Sequence, residues 1–147
     1  AAVKIPLMAN GEIWNEDDAR RCREISTCPD LMLGRGAISD PALVCRIKGN
    51  ETALGWPTLV HWQEQFLMAM VQAGSQPDEE RFGAIWTERG AIGRYKQWLA
   101  MLTRHHAEAR ALFAASKRMT TLNEVRLALQ ASVTHAAVKG EEDSFAG

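Results

Sequence analysis

The chain lacks several features, and each absence narrows its class. No apolar run approaches the length of a membrane span, and the start shows no basic-then-apolar secretory pattern, so no membrane role is expected. No block of one charge dominates, and a formal net charge of -1 is not that of a free nucleic-acid-binding tail. Cysteine is scarce. Cys22, Cys28 and Cys45 are an odd number, and the step from Cys22 to Cys28 spells neither a redox CxxC pair nor a zinc knuckle. A reducing, cytoplasmic setting is expected, with no metal site. The polar bias of a disordered chain is also missing. Of 147 residues 46% are hydrophobic, including five Trp, which is core material for one ordinary domain or two small ones.

What is present changes character along the chain. Residues 2 to 9 are a short apolar run that reads as a buried strand, with Pro6 tolerable only near its start or at a bulge. Asn15 with Asp18 spells a capping box for a helix over 16 to 27, in which Ala19, Cys22 and Ile25 recur at helical spacing before Pro29 closes it. Leu31-Met32-Leu33 is a second strand, ended by Gly34-Arg35-Gly36. Asp40-Pro41 caps a brief helix to about Ile47. Strand, helix, strand, helix within 49 residues is a βα repeat.

Beyond residue 49 only helical patterns follow. Trp56-Pro57 opens a helix to about Ala73 with Leu59, Trp62, Phe66 and Met70 on its stripe. Residues 74 to 80 are a turn-rich link, and Gly83 and Gly90 leave 81 to 90 ambiguous. Ile92, Tyr95, Trp98, Leu99 and Leu102 make one face of a helix from Ala91 to about His105. Ala107, Ala111, Leu112 and Ala115 mark another, and a Thr121–Glu124 capping box starts a last one through Val125, Leu129 and Val133. The expected fold class is α/β plus all-α. An α/β unit over 1–49 is followed by a helical bundle over 50–139 and a loose tail over 140–147.

Asn10-Gly11-Glu12 and Gly34-Arg35-Gly36 each directly follow a predicted parallel strand, where α/β sheets place ligands. Glycines let backbone amides approach an anion, and Arg35 can add a charge-assisted contact. Neither triplet is a P-loop or a dinucleotide fingerprint, so simple turns remain the other reading.

The run Ile5-Pro6-Leu7-Met8-Ala9-Asn10-Gly11-Glu12-Ile13, followed by Asp30-Leu31-Met32-Leu33-Gly34-Arg35-Gly36-Ala37, resembles the last two βα units of the tRNA-dihydrouridine synthase TIM barrel. Tyr95-Lys96-Gln97-Trp98-Leu99, with the basic segment and Leu112-Phe113 after it, resembles that family's helical domain. The resemblance spans about residues 3 to 133 and is strongest to the bacterial C-type branch, which acts on uridine 16 of the tRNA D-loop. The departure is a longer link around 74 to 90. The resemblance implies reduction of uridine with FMN, reloaded by NADPH. It implies that Asn10, Gly11 and Glu12 sit beside the flavin while Gly34 and Arg35 hold its phosphate. It also implies that the catalytic cysteine lies on an earlier strand outside this segment. No residue here is therefore assigned a catalytic role, and the barrel would be completed by the missing N-terminal segment or by another copy of the chain. Cys22 is expected to pack against the sheet.

Between Arg89 and Arg118 there are seven Lys or Arg and one acidic residue, Glu108. This local excess offers a surface for the phosphate backbone of tRNA, with Arg94, Lys96, Arg104 and Arg118 as candidate contacts. An ordinary solvated helix face is the alternative. Tyr95 and Trp98 are expected in the core. Three functions stay in play: a segment of an FMN-dependent tRNA reductase, a noncatalytic RNA-binding helical module, or part of another FMN barrel oxidoreductase.

Overall fold

Asn15 turns an extended stretch into helix α1 (Glu16–Ser26). Its backbone is extended (φ -150°, ψ 178°), and its side chain accepts the Asp18 amide at 2.8 Å. Asp18 returns the bond by accepting the Trp14 amide at 3.0 Å, so the box closes one residue further out than usual. Glu16, Asp17 and Asp18 in the first turn and Arg23 in the last complement the helix dipole. The helix stops before Pro29, at Thr27, which takes a left-handed backbone (φ 57°) and donates its N–H to Arg23 O at 2.9 Å. A computed structural model describes residues 5–50, 54–74 and 87–145. It divides into two units, Ala1–Leu54 and Gly55–Gly147.

In the first unit, β1 (Met8–Ala9) and β2 (Asp30–Leu31) pair in parallel, with Met8 beside Asp30 and Ala9 beside Leu31. The ladder is shorter than the runs 2–9 and 31–33 suggest, and residues 1–4 lie outside the described residues. A short helix, α2 (Gly34–Ser39), stands where the sequence reading has a turn, so the Gly-Arg-Gly triplet is its first turn. Helix α3 (Leu43–Ile47) begins two residues later than Asp40-Pro41 suggests. Asp40 Oδ1 accepts the Ala42 amide and Asp40 O the Leu43 amide, so Pro41 and Ala42 form a turn ahead of it.

Ile13, Ala19, Ala42 and Leu43 are the apolar core of this unit. Arg46 on α3 reaches Glu16 on α1 at 2.5 Å and Asp40 at 2.5 Å, clamping the two helices. These two carboxylates raise the Arg46 guanidinium above its ordinary range, the Asp40 hydrogen bond most of all. Ile25, expected on the buried stripe, is 78% exposed. Helix α1 packs on β1, β2 and α3, with Ala19 buried and Cys22 half-buried, and Ile25 falls off that face. Ile5, Leu7, Met8 and Met32, on or beside the strands, are also exposed.

The second unit has helices α4 (Trp56–Gly74), α5 (Glu88–Leu102), α6 (Ala107–Ser116) and α7 (Leu122–Phe145). Helices α4 and α6 each pack against both α5 and α7. Helix α5 starts at Glu88 rather than Ala91 because Thr87 caps it, accepting the Gly90 amide at 3.1 Å. Gly74, where a turn-rich link over 74–80 was expected to start, still belongs to α4; the rest of that link and most of the ambiguous stretch 81–90 lie outside the described residues. The buried stripe of α4 is Trp56, Leu59, Val60, Gln63 and Leu67, rotated from the expected one; Trp62 is exposed and Phe66 meets Trp98 edge-on at 5.3 Å. On α6 the buried positions are Ala109, Leu112 and Ser116 rather than Ala107, Ala111 and Ala115. In both helices small or amphipathic residues blur the apolar stripe, so the packing partners select the face.

Helix α7 has the expected box: Thr121 Oγ1 accepts the Glu124 amide at 3.3 Å, and Glu124 Oε2 accepts the Thr121 amide at 3.0 Å and that of Thr120 at 2.8 Å. Its backbone continues to Phe145, past Gly140, where a loose tail was expected. A single glycine raises the helical free energy by only about 1 kcal/mol and does not oblige a helix to end. Tyr95 is fully buried, and burial pushes its phenol above the ordinary range.

Candidate functional site

Parallel pairing brings the C-terminal ends of β1 and β2 to one edge, so the segments after them, Asn10-Gly11-Glu12 and Gly34-Arg35-Gly36, become neighbours. Backbone contact fixes this. A Cβ at Gly36 would lie 1.9 Å from Ile13 O, so only glycine lets α2 approach the chain beyond Glu12 this closely. Gly34 has open space around its Cβ direction, and Gly11 faces Cys22 Sγ at 3.4 Å. The first bond within α2 is from the Ala37 amide to Leu33 O at 3.3 Å, leaving the amides of residues 34 to 36 without an intrahelical acceptor.

Glu12 takes a left-handed backbone (φ 48°), uncommon outside glycine. Its carboxylate joins two side chains: Oε1 accepts from Arg35 Nη2, and Oε2 accepts from Trp14 Nε1 at 3.0 Å. The Arg35 guanidinium lies 5.5 Å from the Trp14 ring centroid. Both partners of the ion pair are well exposed, so in water it contributes about 0–1 kcal/mol. Asn10 is exposed, with Nδ2 3.8 Å from Met32 Sδ. A phosphate suits this corner. Gly34 and Arg35 are exposed, with an open approach at Gly34, and the guanidinium has five N–H donors, of which the Glu12 contact engages one nitrogen.

The sequence brought forward every member of this corner except Trp14. A tryptophan two residues after Glu12 carries no local signal. Its place follows from the closed contact with Arg35, which is 21 residues further along.

In the second unit the four basic candidates differ. Arg94, Arg104 and Arg118 are exposed, Arg94 with a 3.3 Å bond to Gln97 on its own helix. Lys96 is half-buried and donates to Met119 O at 2.8 Å, tying α5 to the turn before α7. Lys117 lies 5.7 Å from the Phe113 ring. Cys22, Cys28 and Cys45 are half-buried free thiols on α1, ahead of β2 and on α3. Among the described residues no group of three or more His, Cys, Asp or Glu is placed to hold a metal ion, and no helix is long and apolar enough to cross a membrane.

A family profile described as dihydrouridine synthase (Dus) matches residues 1–136. The tRNA-dihydrouridine(16) synthase of Pseudomonas putida is 40% identical over 143 residues, which cover 92% of this chain and 41% of the relative. That of Cupriavidus necator is 34% identical over 134 residues, covering 88% of this chain and 38% of the relative. The protein of the same name from Escherichia coli O157:H7 is 32% identical over 129 residues, covering 88% and 37%. The chain thus spans about two fifths of the length of these curated relatives.

Proposed function

Because the chain belongs to the dihydrouridine synthase family, we propose that it carries the last two βα units of the TIM barrel and the helical domain of a tRNA-dihydrouridine synthase acting on uridine 16. The observation that carries this reading is the glycine corner. Gly36 packs under Ile13 O and joins the two strand-end motifs, with Arg35 at the same edge. Asn10, Gly11 and Glu12 would lie along the flavin, and the amides at Gly34 and Arg35, with the Arg35 guanidinium, would hold the FMN phosphate. FMN held there, reduced by NADPH, would supply the hydride for the uracil 5,6 bond, which also takes up one proton. The residues of this chain bind and orient, while the proton donor, a cysteine, would come from an earlier barrel strand. Exposed Ile5, Leu7, Met8 and Met32 on and around the two strands support a sheet that continues into further barrel strands.

Arg94, Arg104 and Arg118 would contact tRNA phosphates. The uridine would then be splayed out of its loop toward the barrel, as unstacked loop bases can be. Lys96 has a structural bond to Met119 O, and its part in RNA binding would be secondary. A cytoplasmic setting suits a reaction on tRNA.

The test is expression of the full-length protein in cells whose tRNA lacks dihydrouridine at position 16, followed by mass mapping of the tRNA. A purified protein carrying FMN and a gain of 2 Da at that uridine are expected, the mass of the two hydrogens about the reduced bond. A flavin-free protein that leaves this uridine unreduced while binding RNA would favour the noncatalytic module instead.

A further inference from the structure

Trp14 has no place in the reading so far, yet it touches both charged groups of the glycine corner. Its indole N–H donates to Glu12 Oε2 at 3.0 Å, while its ring faces the Arg35 guanidinium at 5.5 Å. Glu12 Oε1 in turn accepts from Arg35 Nη2, so the three side chains close a ring in which each restrains the other two. We propose that Trp14 is a positioning residue for phosphate recognition, holding the Arg35 guanidinium in the orientation that presents its remaining N–H donors to the flavin phosphate. The proposal rests on the assignment of Arg35 to the FMN phosphate.

The physical need is clear from the exposure of Arg35. A long, solvated arginine samples many rotamers, and an exposed ion pair alone restrains it weakly. A ring face and a carboxylate together fix both the plane and one edge of the guanidinium, leaving its other edge for an anion. Trp14 can serve this purpose because its own backbone is fixed. Its amide donates to Asp18 Oδ2 at 3.0 Å at the start of α1, and its neighbour Ile13 is buried with its carbonyl pressed against Gly36. The start of α1 thereby sets the orientation of a cation on α2. The contrasting role is purely local: a large apolar residue just before an N-cap often packs on the helix it precedes. That role would affect folding and leave phosphate discrimination untouched.

Riboflavin separates the two, because it is FMN without the phosphate. The full-length apoprotein is titrated with FMN and with riboflavin, comparing the wild type with Trp14→Leu, Trp14→Phe and Arg35→Ala. Arg35→Ala is expected to weaken FMN about ten- to hundredfold, as for loss of a charged hydrogen bond, with riboflavin unchanged. Trp14→Leu is expected to weaken FMN about two- to fivefold, the range of an exposed cation–π contact, again sparing riboflavin. Trp14→Phe keeps a ring over the guanidinium and should lose less. The proposal is overturned if Arg35→Ala removes the preference for FMN over riboflavin while both Trp14 variants retain it in full. It is equally overturned if the Trp14 variants weaken both flavins alike. Should Arg35→Ala itself keep the preference, the phosphate assignment fails, and the proposal fails with it. If Trp14→Leu does not fold, the smaller loss in Trp14→Phe, specific to FMN, carries the test.

Discussion

Gly36→Ala and Gly34→Ala place the same methyl group two residues apart in one short helix, and the structure assigns them opposite consequences. At Gly36 the new Cβ would stand 1.9 Å from Ile13 O and 3.1 Å from Ile13 C, far inside the 3.0 Å limit for the first contact. Both neighbours are backbone, so no side-chain rotation relieves the overlap. The α2 backbone must move away from the chain after β1. Overpacking of this kind costs about 1–3 kcal/mol, and a rigid backbone neighbour puts Gly36→Ala near the upper end. For a protein of several hundred residues, with about 2 cal/mol/K of unfolding entropy per residue, this lowers the thermal midpoint by about 3–5 °C. At Gly34 nothing lies within 4 Å of the added methyl, and alanine in a helix is about 0.5–1 kcal/mol better than glycine. Gly34→Ala should therefore unfold no earlier than the wild type, yet hold FMN less tightly, because the methyl occupies the approach assigned to the phosphate. The assay is thermal unfolding of the full-length protein by circular dichroism, with flavin retention measured on the same samples. An unchanged midpoint for Gly36→Ala would refute the claim that the close approach to Ile13 holds the corner together. Undiminished flavin retention by Gly34→Ala would remove the phosphate from that side of the corner.

The 147-residue chain by itself should give no dihydrouridine when incubated with FMN, NADPH and unmodified tRNA, because the two strands among its described residues cannot close an eight-stranded barrel; turnover by pure chain in a mass assay would overturn the division of labour proposed above. Arg46→Met should destabilise the first unit by about 1.5–3 kcal/mol in denaturant titrations, since it strips Asp40, whose side chain is only 10% exposed, of its charged partner. Replacing Arg94, Arg104 and Arg118 together by Ala should weaken tRNA binding and flatten its salt dependence, whereas Lys96→Ala should mainly lower stability by freeing Met119 O; an equal salt-slope change from Lys96→Ala would place it on the RNA face. Glu124 is held below its ordinary pKa by the Thr120 amide first and the Thr121 amide next. A depressed carboxylate contributes stability that is present above its unfolded pKa and lost as pH falls through its folded one, so Glu124→Gln should flatten the acid limb of a stability–pH curve and leave its slope near neutrality unchanged.

Much of this protein was determined by its sequence alone, wherever the decisive interaction spans a few residues. Asn15 with Asp18 and Thr121 with Glu124 announced two helix starts because a capping box closes within one turn. Apolar runs ending in glycine triplets, separated by a helix, required parallel pairing, and the ladder is parallel. Helical periodicity without any strand signal after residue 49 required a bundle. Thr87 could have been read in the same way, since a threonine three residues before Gly90 is a cap, but the glycines nearby obscured it. The tertiary structure decided what depends on which surfaces meet. The α4 stripe turned to bury Gln63 and expose Trp62, because the face of a mostly apolar helix is chosen by its neighbours. Lys96 became a tie to the Met119 carbonyl, an acceptor 23 residues away. The same holds for the corner itself. That Gly36 must be glycine is set by the carbonyl of Ile13, and that Trp14 belongs beside Arg35 is set by Glu12 between them. Such contacts form only once β1 and β2 lie side by side, which brings together side chains that no spacing along the chain relates.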